Sequence, residues 1–247
     1  FQCPDCLREW SKSVRQGRTT FGGRVVSDTA LITKALIGVN LGVFLLLFVG
    51  GGDFVWRVVL QGVAPSVTGD GLGGVANGEW YRLLTATFAH REILHVALNM
   101  FALYIFGQEL ERLLGPGRFL ALYLLSGLGG SLASYAFNPP LQGSLGASGA
   151  IFGLIGAMVM VQRRLRYNTN GLLIYIGVLI VFGFVVPGID WKAHLGGMLT
   201  GVILGAAFVY APQHRRAAYH AAACVVVLAL VIAGVLARTA VLGGTVI

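Results

Sequence analysis

Charge is scarce in this chain: only 11% of its 247 residues are Asp, Glu, Lys or Arg, and the acids number ten. A composition that is 56% hydrophobic, with a mean hydropathy of +0.77, excludes a soluble domain with a solvated surface. Also lacking is the period-2 alternation of a membrane-spanning barrel. A bilayer core offers no water to backbone groups, so the apolar stretches must be helices, and the fold class is an all-α polytopic membrane protein.

Seven stretches approach the length of about 20 residues that crosses a hydrocarbon core: 31–50, 93–114, 118–137, 147–163, 171–187, 191–210 and 218–242. The net charge of +8 would suggest nucleic acid in a soluble protein, but its distribution gives another meaning. Thirteen of the 18 Lys and Arg lie before span one or in its first turn, or at and between the facing ends of spans two and three, four and five, and six and seven. The positive-inside rule therefore places the N-terminus in the cytoplasm, with no nucleic-acid partner. The charged N-terminal segment is too long for a cleavable signal peptide, so span one is expected to act as the anchor.

Three regions follow. Residues 1–30 form a cytoplasmic segment in which Cys3 and Cys6 make C-x2-C, half of a tetrahedral zinc site. Because the chain begins at Phe1, we expect the other two ligands, for a structural zinc, upstream in a longer native chain, and no metal on this segment alone. Residues 31–210 form a six-helix core that includes a long external loop, 51–92. Its Trp56, Trp80 and Tyr81, with Arg57 and Arg82, are suited to the headgroup level. Residues 211–247 supply a linker and a seventh span, where Cys224 reads as a small buried hydrophobe.

Polar groups inside spans are costly and point to function. His95 and Asn99 lie early in span two, Ser148 early in span four and His194 early in span six. Spans two, four and six all run inward, so the four residues share one depth near the outer surface. Ser148 becomes a nucleophile if a base takes its proton, and histidine suits that work near neutral pH. His95 and Asn99, spaced i, i+4, can aim donors at one point and form an oxyanion hole with the Ser148 N–H.

Gly146 and Gly149 flank the serine and leave room for a substrate backbone. Gly149, Gly153 and Gly156 match Gly197, Gly201 and Gly205, a spacing that lets two helices approach closely. Phe152, four residues after Ser148, shares its face and is placed to pack on the His194 ring. A lone G-x-S-G is more often a packing motif, and the conjunction is what points to catalysis. Asp190 fits an N-cap of span six better than a third catalytic member. Glu79, Arg82 and His90 read as local loop bonds, His214 and His220 as solvated or interfacial groups, and Glu109, Glu111 and Arg112 as an ion-pair cluster.

"EWYRLLTATFAH" with "HVALN", the "GASG" around Ser148, and "AHLGGMLTG" with His194 together resemble the rhomboid family of intramembrane serine proteases. The resemblance covers about residues 31–210. It implies a six-helix bundle with Ser148 as nucleophile, His194 as general base and acid, and His95, Asn99 and the Ser148 amide as oxyanion stabilisers. It also implies no third acid and no cofactor for catalysis. Span seven looks like the extra helix of a six-plus-one subclass. Two departures are mild: Tyr81-Arg82 stands where the family has Trp-Arg, and Phe152 where some relatives have Tyr.

The expected function is hydrolysis of a peptide bond in or near the outer part of a transmembrane protein substrate, through an acyl-enzyme. The expected setting is a bacterial-type plasma membrane, with the site open to the outside and substrate arriving laterally from the lipid bilayer past spans two and five. A catalytically inactive, client-binding rhomboid-like protein is the alternative. A proton or transport pathway ranks lower, because spans two, four and six turn apolar below these residues.

Overall fold

The computed structural model describes Cys3, residues 17–65 and residues 72–243. Seven long helices carry the fold: α1 (Leu31–Val58), α2 (Ile93–Leu114), α3 (Pro116–Phe137), α4 (Ser148–Arg164), α5 (Asn170–Val185), α6 (Trp191–Tyr210) and α7 (Arg216–Gly243). Five contain apolar windows long enough to cross a membrane, so the chain is an integral membrane protein. α4 and α5 are shorter, 17 and 16 residues, or about 24–26 Å at 1.5 Å per residue. α1 continues two turns beyond its apolar span, so the following loop is irregular only from Val59. That loop contains a small antiparallel ladder, β1 (Ala64–Pro65) with β2 (Leu72–Gly73), and a single helical turn, Arg82–Thr85.

α4 sits at the centre. Every residue from Gly149 to Val159 is buried, as expected for a helix that is apolar all round. α6 packs along it, α3 packs against both, and α2 flanks α4 on another side. The core formed there includes Leu103, Phe119, Leu122, Leu154, Leu204 and Phe208.

The α4–α6 contact is set by glycine. A Cβ on Gly197 would lie 1.9 Å from the Gly149 carbonyl oxygen, and one on Gly201 would lie 1.9 Å from that of Gly153. Only the missing side chains allow the backbones to meet, and the carbonyls take up the space. α3 uses the same device: Gly130 meets the Ala193 carbonyl and Gly129 meets Thr200 of α6.

Glu111 departs from the expected ion-pair cluster. Glu109 alone pairs with Arg112, at 2.6 Å. The Glu111 carboxylate, 1% exposed, accepts from the Ile32 and Thr33 backbone N–H groups and the Thr33 hydroxyl, each at 2.8 Å. It satisfies orphan donors at the start of α1 from a residue on α2, and so fixes how the two helices meet. His220 likewise is buried rather than solvated: Arg118 Nε donates to its Nδ1 at 2.6 Å, and its Nε2 lies 3.1 Å from the Phe208 carbonyl. Arg82 is fully buried. It bonds Glu79, as its local setting suggested, but also reaches the Trp56 and Val59 carbonyls at the end of α1. Trp56, Trp80 and Tyr81 are exposed.

Candidate active site

Ser148 is the first residue of α4, so its N–H and that of Gly149 have no intrahelical acceptor and point to the end where the helix dipole is positive. Its Oγ lies 2.8 Å from Nε2 of His194, in the first turn of α6. The two meet across 46 residues because the glycine contacts hold α4 against α6. The His194 ring stacks on Phe152, with centroids 4.2 Å apart and planes 10° apart. That contact fixes the ring plane while Nε2 faces the serine.

Asp190 caps α6, its carboxylate accepting the Ala193 N–H at 3.1 Å. The other carboxylate oxygen accepts from Ser134 at 2.5 Å and Asn138 at 3.0 Å, both at the end of α3. The acid therefore anchors the helix that carries His194, and its oxygens are engaged by α3 and by the backbone.

His95 and Asn99 lie at the same end of the bundle, on α2. Gly146, at φ +128°, stands between His95 and Ser148. A Cβ there would lie 2.9 Å from His95 Nε2 and 3.8 Å from Ser148 Oγ. Glycine thus lets the backbone pass close to both groups with no side chain between them. Asn99 does not point wholly into this space: one amide hydrogen goes to the His95 carbonyl, at 2.9 Å. Its second hydrogen remains for a ligand.

His90 has a larger place in the site than its local setting suggested. It is fully buried in the loop before α2, and its Nε2 accepts the N–H of Ala147, the residue before Ser148, at 3.3 Å. Its ring packs edge-on against His95, centroids 5.0 Å apart. No spacing rule links residues 90 and 147; the one available signal was the imidazole itself within an apolar stretch. Burial pushes its pKa from 6.5 down to about 4, with the nearby His95 adding to the shift. Between those values the unfolded chain takes up a proton that the folded site refuses, so this contribution to stability is full above about pH 6.5 and is lost as pH falls towards 4. His90→Phe keeps an aromatic ring but strands the Ala147 N–H, at a cost of about 1–3 kcal/mol. Thermal unfolding followed from neutral to acid pH should show a lower midpoint for the variant at pH 7 and a shallower decline on acidification. Coincident curves for parent and variant would contradict this role.

Behind the first turn of α4 lies a cavity of about 20 Å³, lined by Thr87, Gly130, Ser131, Ser144, Gly149 and Ala193 among others. It holds one water or one methyl group. Cys3 is exposed, and Cys6 lies outside the described residues. Among the described residues no cluster of three or more His, Cys, Asp or Glu could hold a metal ion.

Comparison with known proteins shows the family. The profile of the rhomboid domain matches residues 77–211. The chain is 39% identical over 180 residues to Rhomboid protease GluP of Bacillus subtilis, an alignment that covers 71% of this chain and 34% of that protein. It is 36% identical over 155 residues to Putative rhomboid protease YdcA of the same organism, covering 61% of this chain and 77% of the relative. It is 29% identical over 170 residues to Rhomboid protease AarA of Providencia stuartii, covering 57% and 60%. The chain thus spans about a third of the length of the first relative and most of the second.

Proposed function

The chain belongs to the rhomboid family, and on that premise we propose that it is an intramembrane serine endopeptidase in which Ser148 is the nucleophile and His194 the base. The 2.8 Å contact between Ser148 Oγ and His194 Nε2 carries the reading. As Oγ bonds the substrate carbonyl carbon, Nε2 takes its proton and the carbonyl π pair moves onto oxygen. The Ser148 N–H, the free amide hydrogen of Asn99 and the His95 ring stabilise that oxyanion. When the carbonyl re-forms, the C–N bond breaks and the leaving amine takes the proton from His194. A water then attacks the ester and returns a proton through His194, which releases the carboxylic acid and regenerates Ser148. No cofactor enters these steps, and a zinc on Cys3 and Cys6 would have a structural role only, with further ligands.

Residues 31–210 form the protease core in this reading, 211–247 a linker and added helix, and 1–30 a cytoplasmic segment. The membrane is a bacterial-type plasma membrane, and Ser148 opens to its outer side. A transmembrane substrate reaches it laterally, between α2 and α5. α5 buries only Ile176 and Gly183 among its residues, and it meets α2 through the stacked rings of Phe106 and Tyr175, 6.1 Å apart. Loose attachment of one helix beside the site is what lateral access requires.

The small cavity lined by Gly146 and Gly149, on either side of Ser148 in the chain, predicts the preference. A reporter with alanine before the cleaved bond should be cut at least about tenfold faster than the same reporter with phenylalanine, because a ring cannot enter 20 Å³. Steady-state cleavage of the two reporters measures the ratio, and equal rates would remove the cavity from substrate recognition. The function itself is tested by reconstituting the purified chain with a set of transmembrane reporters. Cleavage within or near the outer part of the reporter helix supports the proposal. Stable binding of reporters without any product would favour a client-binding protein instead.

A further inference from the structure

The end of the bundle opposite Ser148 holds a group of cations that the chemistry above does not use. A turn, Thr19–Gly23, is pinned there: the Phe21 N–H donates to the Leu113 carbonyl at 3.2 Å, and its ring is buried in the core. Arg18 leads into this turn, and its Nη1 reaches the Gly22 carbonyl at 3.4 Å. Arg216 reaches the Thr20 carbonyl at 3.4 Å, while its Nε is buried without a partner. Arg118 lies beside this turn: its Nη1 reaches the Leu114 carbonyl on which Gly23 packs, and its Nε is braced by His220 of α7 at 2.6 Å.

Three features make this more than a solvated basic face. Among the described residues, none of the three arginines has an ion-pair partner; the recorded pairs involve Lys34, Arg82 and Arg112. Arg118 and Arg216 also occupy the first turns of α3 and α7, where the helix dipole disfavours a cation and favours an anion. Their carbonyl contacts at 3.4 Å are long, which leaves guanidinium N–H donors for a stronger acceptor.

We infer that Arg18, Arg118 and Arg216 form a binding site for the phosphate of an anionic phospholipid. α3 and α7 are apolar spans that begin at this cluster, so it lies where headgroups lie. Tyr219 is exposed one turn beyond Arg216, and Val226 and Leu230 continue that face of α7 as an exposed apolar surface for acyl chains. A phosphate accepts several guanidinium N–H bonds at once and offsets the mutual repulsion. A zwitterionic headgroup brings a cation with its phosphate, which the cluster repels.

The test is thermal unfolding of the purified chain in neutral phosphatidylcholine nanodiscs, with phosphatidylglycerol added in one arm and inorganic phosphate in another. The parent midpoint should rise by about 4 °C or more with phosphatidylglycerol and stay unchanged with inorganic phosphate. Arg18→Gln with Arg216→Gln should lose at least half of that rise. Arg163→Gln with Arg166→Gln, which removes the same charge elsewhere, should keep it. Equal rises in parent and both double variants, or no rise in the parent, would overturn the site. An equal response to inorganic phosphate would overturn the lipid as its occupant. None of these readings depends on proteolysis.

Discussion

Ser148→Ala and His194→Ala are each expected to lower the rate of reporter cleavage by at least about a thousandfold, the scale on which a nucleophile or its base acts in serine hydrolysis. The two losses should not add. The residues act as one unit, through a single contact of 2.8 Å, so the double variant should be no slower than either single one. Each variant keeps the α4–α6 glycine contacts and should unfold at nearly the parent temperature, which separates loss of chemistry from loss of fold. Asp190→Asn should behave differently. It keeps an acceptor for the Ala193 N–H and weakens the links to Ser134 and Asn138, so stability should fall more than the rate of the folded enzyme.

Gly201→Ala is expected to have the largest effect of any substitution away from the reacting groups. One added methyl would stand 1.9 Å from the Gly153 carbonyl oxygen, where ordinary contact begins near 3.4 Å. α4 and α6 must then part by about 1.5 Å, or the helices must shift along each other. Overpacking of this kind costs about 1–3 kcal/mol and more when backbone rather than a flexible side chain is struck. Gly201 lies two turns below His194 on the same helix, so the displacement reaches the dyad. A misplacement of about 1 Å lowers catalysis by about a hundredfold. Gly42→Ala is the matched control: its Cβ meets nothing within 4 Å, and both midpoint and rate should stay near the parent values. If Gly201→Ala left both unchanged, the close approach would not hold the site together.

Features set by short spacings were legible in the sequence. Apolar runs marked the helices. Three helices entering from one side put Ser148, His194, His95 and Asn99 at one depth, and glycines every fourth residue marked the α4–α6 contact. The cap at Asp190 was legible because capping is local. Other links join residues far apart in the chain and of unremarkable type. Glu111 caps a helix that begins 79 residues earlier, and His90 holds the amide of Ala147 across 57. Asn99 spends one hydrogen on its own helix, which an i, i+4 spacing does not distinguish from aiming at a ligand. The cation cluster was visible as charge on one side, but only the pinned Thr19–Gly23 turn brings Arg18 to Arg118 and Arg216.

Covalent labelling by a fluorophosphonate tests the activation of Ser148 by His194 without any choice of substrate. Oγ attacks phosphorus and fluoride leaves, so one serine gains the probe only if a base has made it nucleophilic. Peptide mapping of the labelled protein should place the probe on Ser148 in the parent, with none on the other serines, and His194→Ala should abolish it. Labelling of Ser148 at the parent rate in His194→Ala, or no labelling of Ser148 in the folded parent, would contradict the account.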